Sequence, residues 1–182
     1  IHIAKGGVLL DNPEWLASEL SKRDAQPAGL VLPIRVLVML AFNDTDRLRQ
    51  LLDADLTADP PFVPLVPLLS YVIDPSQTDC DDVIKELPYL LDRPTLNVDT
   101  FALRRAALDL IMMLPETEET EKVRRGARDL IVVGVRELVE WTLSRPLPLV
   151  ASKLLDRYGR HLPNETLKDL QGRTKVALGE SS

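Results

Sequence analysis

The densest group of reactive side chains in this 182-residue chain is Asp79, Cys80, Asp81 and Asp82, where a thiol and three carboxylates could in principle hold a metal ion or activate a nucleophile. The carboxylates oppose the lowered pKa that a reactive thiol needs. A calcium loop would require alternating ligands and a glycine, which are absent here. The spacing fits a helix start better, with Thr78 or Asp79 as the capping residue. His2 and His161 lack a visible catalytic partner, and the chain has no glycine-rich phosphate loop, nucleophile elbow or paired histidines at helical spacing. The expectation is therefore no catalytic residue, no metal site and no cofactor.

Basic and aromatic side chains offer recognition chemistry instead. Lys122, Arg124, Arg125 and Arg128, with Arg104 and Arg105 on the preceding segment, could form a positive ridge for an acidic or phosphorylated peptide. Guanidinium forks bind carboxylates and phosphates in paired geometry. The rival account is a self-paired, solvated surface, because Glu118 to Lys122 and Glu121 to Arg125 are each four apart in the favourable order. Arg104 and Arg105 are the stronger candidates, since no acid lies four residues before Arg105. Reversing both to glutamate is expected to abolish partner capture and leave folding intact. Trp15 and Trp141 are the only tryptophans, each beside a carboxylate. Trp141 is the better candidate anchor, because Leu138 and Thr142 share a core stripe while the indole lies to one side.

These side chains must be positioned by helices. Asp81 to Leu114 reads as one amphipathic helix, a short turn and a second amphipathic helix, with Val83, Ile84, Leu87, Leu90 and Leu91 inward in the first. Pro88 is expected to kink that helix. Asn97 or Asp99 caps the second, whose stripe is Leu103, Ala106, Ala107, Leu110, Ile111 and Leu114. Thr117 opens a long helix running to about Ser144, with Val123, Ala127, Leu130, Ile131, Gly134, Val135, Leu138, Val139 and Thr142 on one face. Two further helices follow, Leu149 to Tyr158 and Glu165 to Leu178, the last capped by Asn164. Upstream, helices are expected over Pro13 to Lys22, over Leu32 to Phe42 and after Asn43 or Asp44. Another starts somewhere between Pro61 and Pro67, where prolines obscure the boundary. About nine helices result, with no alternating strand pattern.

Val83 to Leu114 resembles a HEAT repeat through Pro88, Asp99, Arg104, Ala106, Ala107, Leu108 and Leu110. The resemblance covers about one repeat, and the long helix Thr117 to Ser144 departs from the pattern. It implies an all-α fold of helical hairpins, stacked as a short HEAT/ARM-like solenoid or right-angled helical array. Residues 1–178 are read as one all-helical domain, part of a larger protein, with 179–182 as a polar tail.

Composition narrows the class further. Hydrophobic residues make up 45% of the chain but aromatics only 4%, a mix suited to interdigitated helices. Net charge is −6, unevenly spread: residues 1–100 carry 16 acids and 8 bases, residues 101–182 carry 12 acids and 14 bases. An acidic balance disfavours nucleic acid as the partner. The single Cys80 fits a nuclear or cytoplasmic compartment. The most apolar run, Ala28 to Phe42, is interrupted by Pro33 and Arg35 and falls short of the roughly 20 residues a membrane span needs. The expected role is a non-catalytic protein-protein interaction or scaffold domain of a multi-subunit assembly, presenting a helical groove to a protein or peptide through Arg104, Arg105, Arg125, Arg128 and Trp141. The alternatives are a HEAT-like glycosylase type of helical enzyme, and a homo-oligomerisation domain.

Overall fold

The computed structural model describes residues 63–94, 98–145 and 147–180, together with Asp46, Arg49 and Gln50. The first two helices read upstream of Pro61, as well as Trp15 and His2, lie outside the described residues, and of the third only Asp46, Arg49 and Gln50 are described, all three helical. Within them the chain is all-helical, with six α-helices: α1 Leu65–Ile73, α2 Cys80–Leu91, α3 Val98–Met112, α4 Glu118–Ser144, α5 Pro148–Tyr158 and α6 Asn164–Ala177. Short 3₁₀ turns at Pro75–Gln77 and Gly159–His161 follow α1 and α5.

Local chemistry accounts for most boundaries. α1 begins directly after Pro64, and Pro67 falls in its first turn, where a missing N–H removes no intrahelical bond. Asp79 caps α2 by accepting the Asp81 N–H at 2.9 Å, while Asp81 and Asp82 sit by the positive end of the helix. Pro88 lies inside α2, which continues to Leu91. Asp99 falls within α3, and Asn97, the other residue read as its cap, lies outside the described residues. At the start of α4, the Thr120 hydroxyl oxygen accepts the Thr117 N–H at 3.4 Å, and its own proton bonds the Pro115 carbonyl. Pro148 occupies the first turn of α5. α6 starts one residue earlier than its sequence suggests, with Pro163 at the cap position and Asn164 as its first residue. Gly179, at φ +79°, closes α6 in the left-handed region.

Each helix packs on the next in sequence, and α1 on α3, α2 on α4 and α4 on α6 as well. α4 thereby touches α2, α3, α5 and α6. Its approach to α2 depends on Gly134, where an added Cβ would lie 3.3 Å from Leu91 Cδ2 and 3.4 Å from the Leu91 carbonyl oxygen. α1 is tied to the start of α4 by the Tyr71 hydroxyl, which donates to the Glu119 carbonyl at 2.8 Å. Burial also raises the Tyr71 pKa, with Cys80 and Glu119 adding to the shift and Arg124 opposing it.

α3 is the most enclosed element. Its apolar stripe, Leu103, Ala106, Ala107, Leu110 and Ile111, is buried as the spacing requires, but so are Phe101, Ala102, Leu108 and three charged residues, Arg104, Arg105 and Asp109.

Candidate functional site

The burial of α3 corrects the ridge inferred from sequence. Arg104 is 2% exposed and Arg105 6%, so neither stands on an open surface beside the arginines of α4. Arg104 reaches past the C-terminus of α2, where its Nη2 donates to the Arg93 carbonyl oxygen. Burial lowers its pKa, and the nearby Glu137 and Asp92 carboxylates partly restore the charged form. The helical stripe picked out the apolar positions correctly but could not show that neighbours enclose the helix on its remaining sides.

Asp109, one turn beyond Arg105, was not read as a site residue. Its Oδ1 accepts the Tyr158 hydroxyl at 2.6 Å and Arg157 Nε at 3.0 Å, which joins α3 to the end of α5. Tyr158 is fully buried, and its pKa is raised by that burial and by the Asp109 charge. For Arg157, burial favours loss of the proton, but Asp109 and Tyr158 together outweigh it and raise the pKa. The available signal was a lone carboxylate inside an apolar run, which a soluble fold buries only with partners.

The remaining candidates lie on α4. Arg125 and Arg128 are exposed. Arg125 approaches Glu121 at 3.4 Å, as its spacing suggests, while Arg128 makes no ion pair among the described residues. Arg124 is held by Glu121 at 2.9 Å and by the Thr117 carbonyl at 3.1 Å. Lys122 pairs with Asp81 on α2 at 2.5 Å, and not with Glu118 as the i, i+4 spacing suggests. Its hydrogen bond to Asp81, aided by the carboxylate charge, raises its pKa.

Trp141 is half-buried near the end of α4, beside the fully buried Leu138 and Thr142. Its ring meets Phe101 of α3 at 5.1 Å between centroids, tilted by 36°. The Arg145 guanidinium lies 5.1 Å from the indole centroid, in cation–π range. The indole Nε1 is buried with no hydrogen-bond acceptor.

Potential ligand atoms of Asp79, Cys80 and Asp81 lie within 4.8 Å of one another. Asp79 is engaged as the α2 cap and Asp81 by Lys122, so the carboxylates already serve the helix start and the α2–α4 contact. His161 accepts Arg160 Nε at 3.2 Å; burial and the Arg160 charge lower its pKa. Among the described residues no helix is long and apolar enough to cross a membrane, despite the 27 residues of α4. Compared with protein-family models, curated proteins and solved structures, the chain matches none of them.

Proposed function

We propose that this chain is a non-catalytic interaction domain that presents one flank of α4 and the Trp141 corner to a protein or acidic peptide in a nuclear or cytoplasmic assembly. The observation that carries this reading is the division of α4 into two sides. One side is buried against neighbouring helices from Thr120 to Thr142. The other holds Arg125, Arg128 and Arg136 in solvent, with no ion pair to Arg128 or Arg136 among the described residues. Packed neighbours hold the backbone of α4, so a partner meeting those guanidinium groups adds little ordering cost. A stacked-hairpin arrangement of HEAT type is supported by packing between adjacent and next-but-one helices, the contact pattern expected of such arrays.

The test is capture of a stoichiometric partner on the immobilised chain, compared with R125E/R128E. Both substitutions lie on exposed positions, so the melting temperature should stay within a degree or two, equivalent to about 0.5 kcal/mol. Capture should be lost. Undiminished capture by the folded double variant would remove α4 from the interface.

A further inference from the structure

The cations in the first turns of α4 each find an acid close by. Lys122 pairs with Asp81, and Arg124 and Arg125 share Glu121, so that end of the helix is neutralised from within the chain. Arg128 and Arg136 differ. Both are exposed, and neither has an ion pair among the described residues. No acid stands three or four positions from Arg128 on either side, and the one so placed beside Arg136, Glu140, is engaged by Arg173 of α6 at 3.1 Å. Between the two arginines, four positions from each, lies Val132, half-buried against the core. Residues at this spacing share one face of a helix, so the three form a single row whose two charged ends start about 12 Å apart along the axis.

We infer that this row seats an α-helix of a partner protein, one that carries an apolar side chain with a carboxylate four residues before it and another four residues after it. The inference rests on the interaction reading above and names the partner's chemistry. An opposing helix repeats the same spacing, so its carboxylates meet the two guanidinium groups while its apolar residue covers Val132. An extended peptide fits less well. The N–H and C=O groups of α4 are spent inside the helix, so a strand laid on Val132 would leave its own backbone groups without partners, whereas a helix pairs them itself. Two acids limit the charge that fits. Asp129 stands two turns before Arg136 on nearly the same line, and Glu140 follows Arg136 by one turn. Both repel a densely anionic surface more strongly than a helix with two spaced carboxylates.

The experiment is a titration of the full chain, followed by heteronuclear NMR, with a blocked alanine-based helical peptide of about 16 residues that carries a leucine and two glutamates at that spacing. An isomer of the peptide places its glutamates two residues either side of the leucine, on the opposite face of the helix. Backbone N–H signals of Arg128, Val132 and Arg136, and the Nε–H signals of both arginines, should shift to saturation with the first peptide. Affinity for the isomer should be lower by about tenfold or more, and R128Q/R136Q should lose as much, since two ion pairs of surface strength go. Both substitutions fall on exposed positions, so the variant should fold as the unaltered chain does. R125Q should bind the peptide nearly unchanged, because Glu121 already holds Arg125. The assignment is overturned if no signal in the row moves, if the two isomers bind alike, or if a proline-containing extended peptide with the same side chains binds as tightly as the helix. The broader reading fails separately, through partner capture that R125E/R128E leaves undiminished. Capture lost in that variant, with no preference between the isomers, would overturn the helix assignment alone and leave α4 as an interface for a partner of other chemistry.

Discussion

Arg104 shows how far a residue's environment can depart from the one its neighbours in sequence suggest. In the string Phe101-Ala102-Leu103-Arg104-Arg105-Ala106 the two arginines read as the wet side of an amphipathic helix, yet both are enclosed. Arg104 sends its guanidinium to the Arg93 carbonyl beyond the end of α2, while its stem packs beside Gly134 of α4. R104E would place a carboxylate against a carbonyl oxygen and near Glu137 and Asp92. It should cost about 3–5 kcal/mol, the range for breaking a buried charge interaction, and lower the melting temperature markedly. R104M keeps much of the stem and should cost less. Chemical unfolding of the two variants checks the order; a fully stable R104E would show that the guanidinium is not buried in solution. This reverses the expectation drawn from sequence that charge reversal here spares the fold. Tyr158 and Tyr71 supply a pH signature of the same kind. Both hydroxyls are held protonated in the folded state, their pKa raised above the ordinary value of 10.0. The folded state therefore binds more protons than the unfolded chain above that value. Their stabilisation is complete below pH 10 and is lost as pH rises through the folded-state values. Denaturant midpoints measured from neutral to strongly alkaline pH should fall above that point, and Y158F should flatten the fall.

At the scale of the element, the sequence announced its helix ends and apolar stripes well, because caps and periodicity are local. Asp79 before α2 and Thr117 before α4 stand where capping chemistry places them, and Leu87, Leu90 and Leu91 all face inward. The start of α1 was open among several prolines, since Pro64 and Pro67 are each compatible with a first turn. What helix periodicity cannot express is how closely two helices approach. Gly126 and Gly134 occupy the same face of α4 only approximately and look alike in sequence, but their surroundings differ. A Cβ at Gly126 would meet Ile84 at an ordinary 3.6 Å, whereas at Gly134 it would press on Leu91, including its backbone oxygen. G126A should stabilise the chain by about 0.5–1 kcal/mol through helix propensity alone. G134V should destabilise it by about 1–3 kcal/mol, because its branched side chain must push α2 and α4 apart. Thermal melts of the two variants should therefore move in opposite directions. A neutral G134V would mean that the α2–α4 contact is looser than the structure has it.

For the molecule as a whole, the arrangement of helices is the part least legible in sequence, because it depends on which buried faces meet. The HEAT-like motif of Val83 to Leu114 pointed to pairing of α2 with α3, and the two do pack together, yet α4 binds α2 more extensively. The Asp109–Tyr158–Arg157 group likewise joins residues nearly fifty positions apart, beyond the reach of any local pattern. α4 links the α1–α3 side of the described helices to α5 and α6. A cavity on its buried face should consequently be felt on both sides. Leu138 is fully buried on α4, and L138A should cost about 2–5 kcal/mol. Hydrogen exchange should then show protection falling in α2 and α6 together. Leu170 is equally enclosed but lies on α6, which among the described helices packs on α5 and to a lesser extent α4. L170A should lower protection in α5 and α6 and spare α1 to α3, as expected where cooperative units follow local packing. If L138A leaves α2 protected, the two sides unfold independently and α4 does not couple them. If L170A loosens every helix equally, the described helices form one indivisible unit, and the nearest-neighbour behaviour of a stacked array would not apply to this chain.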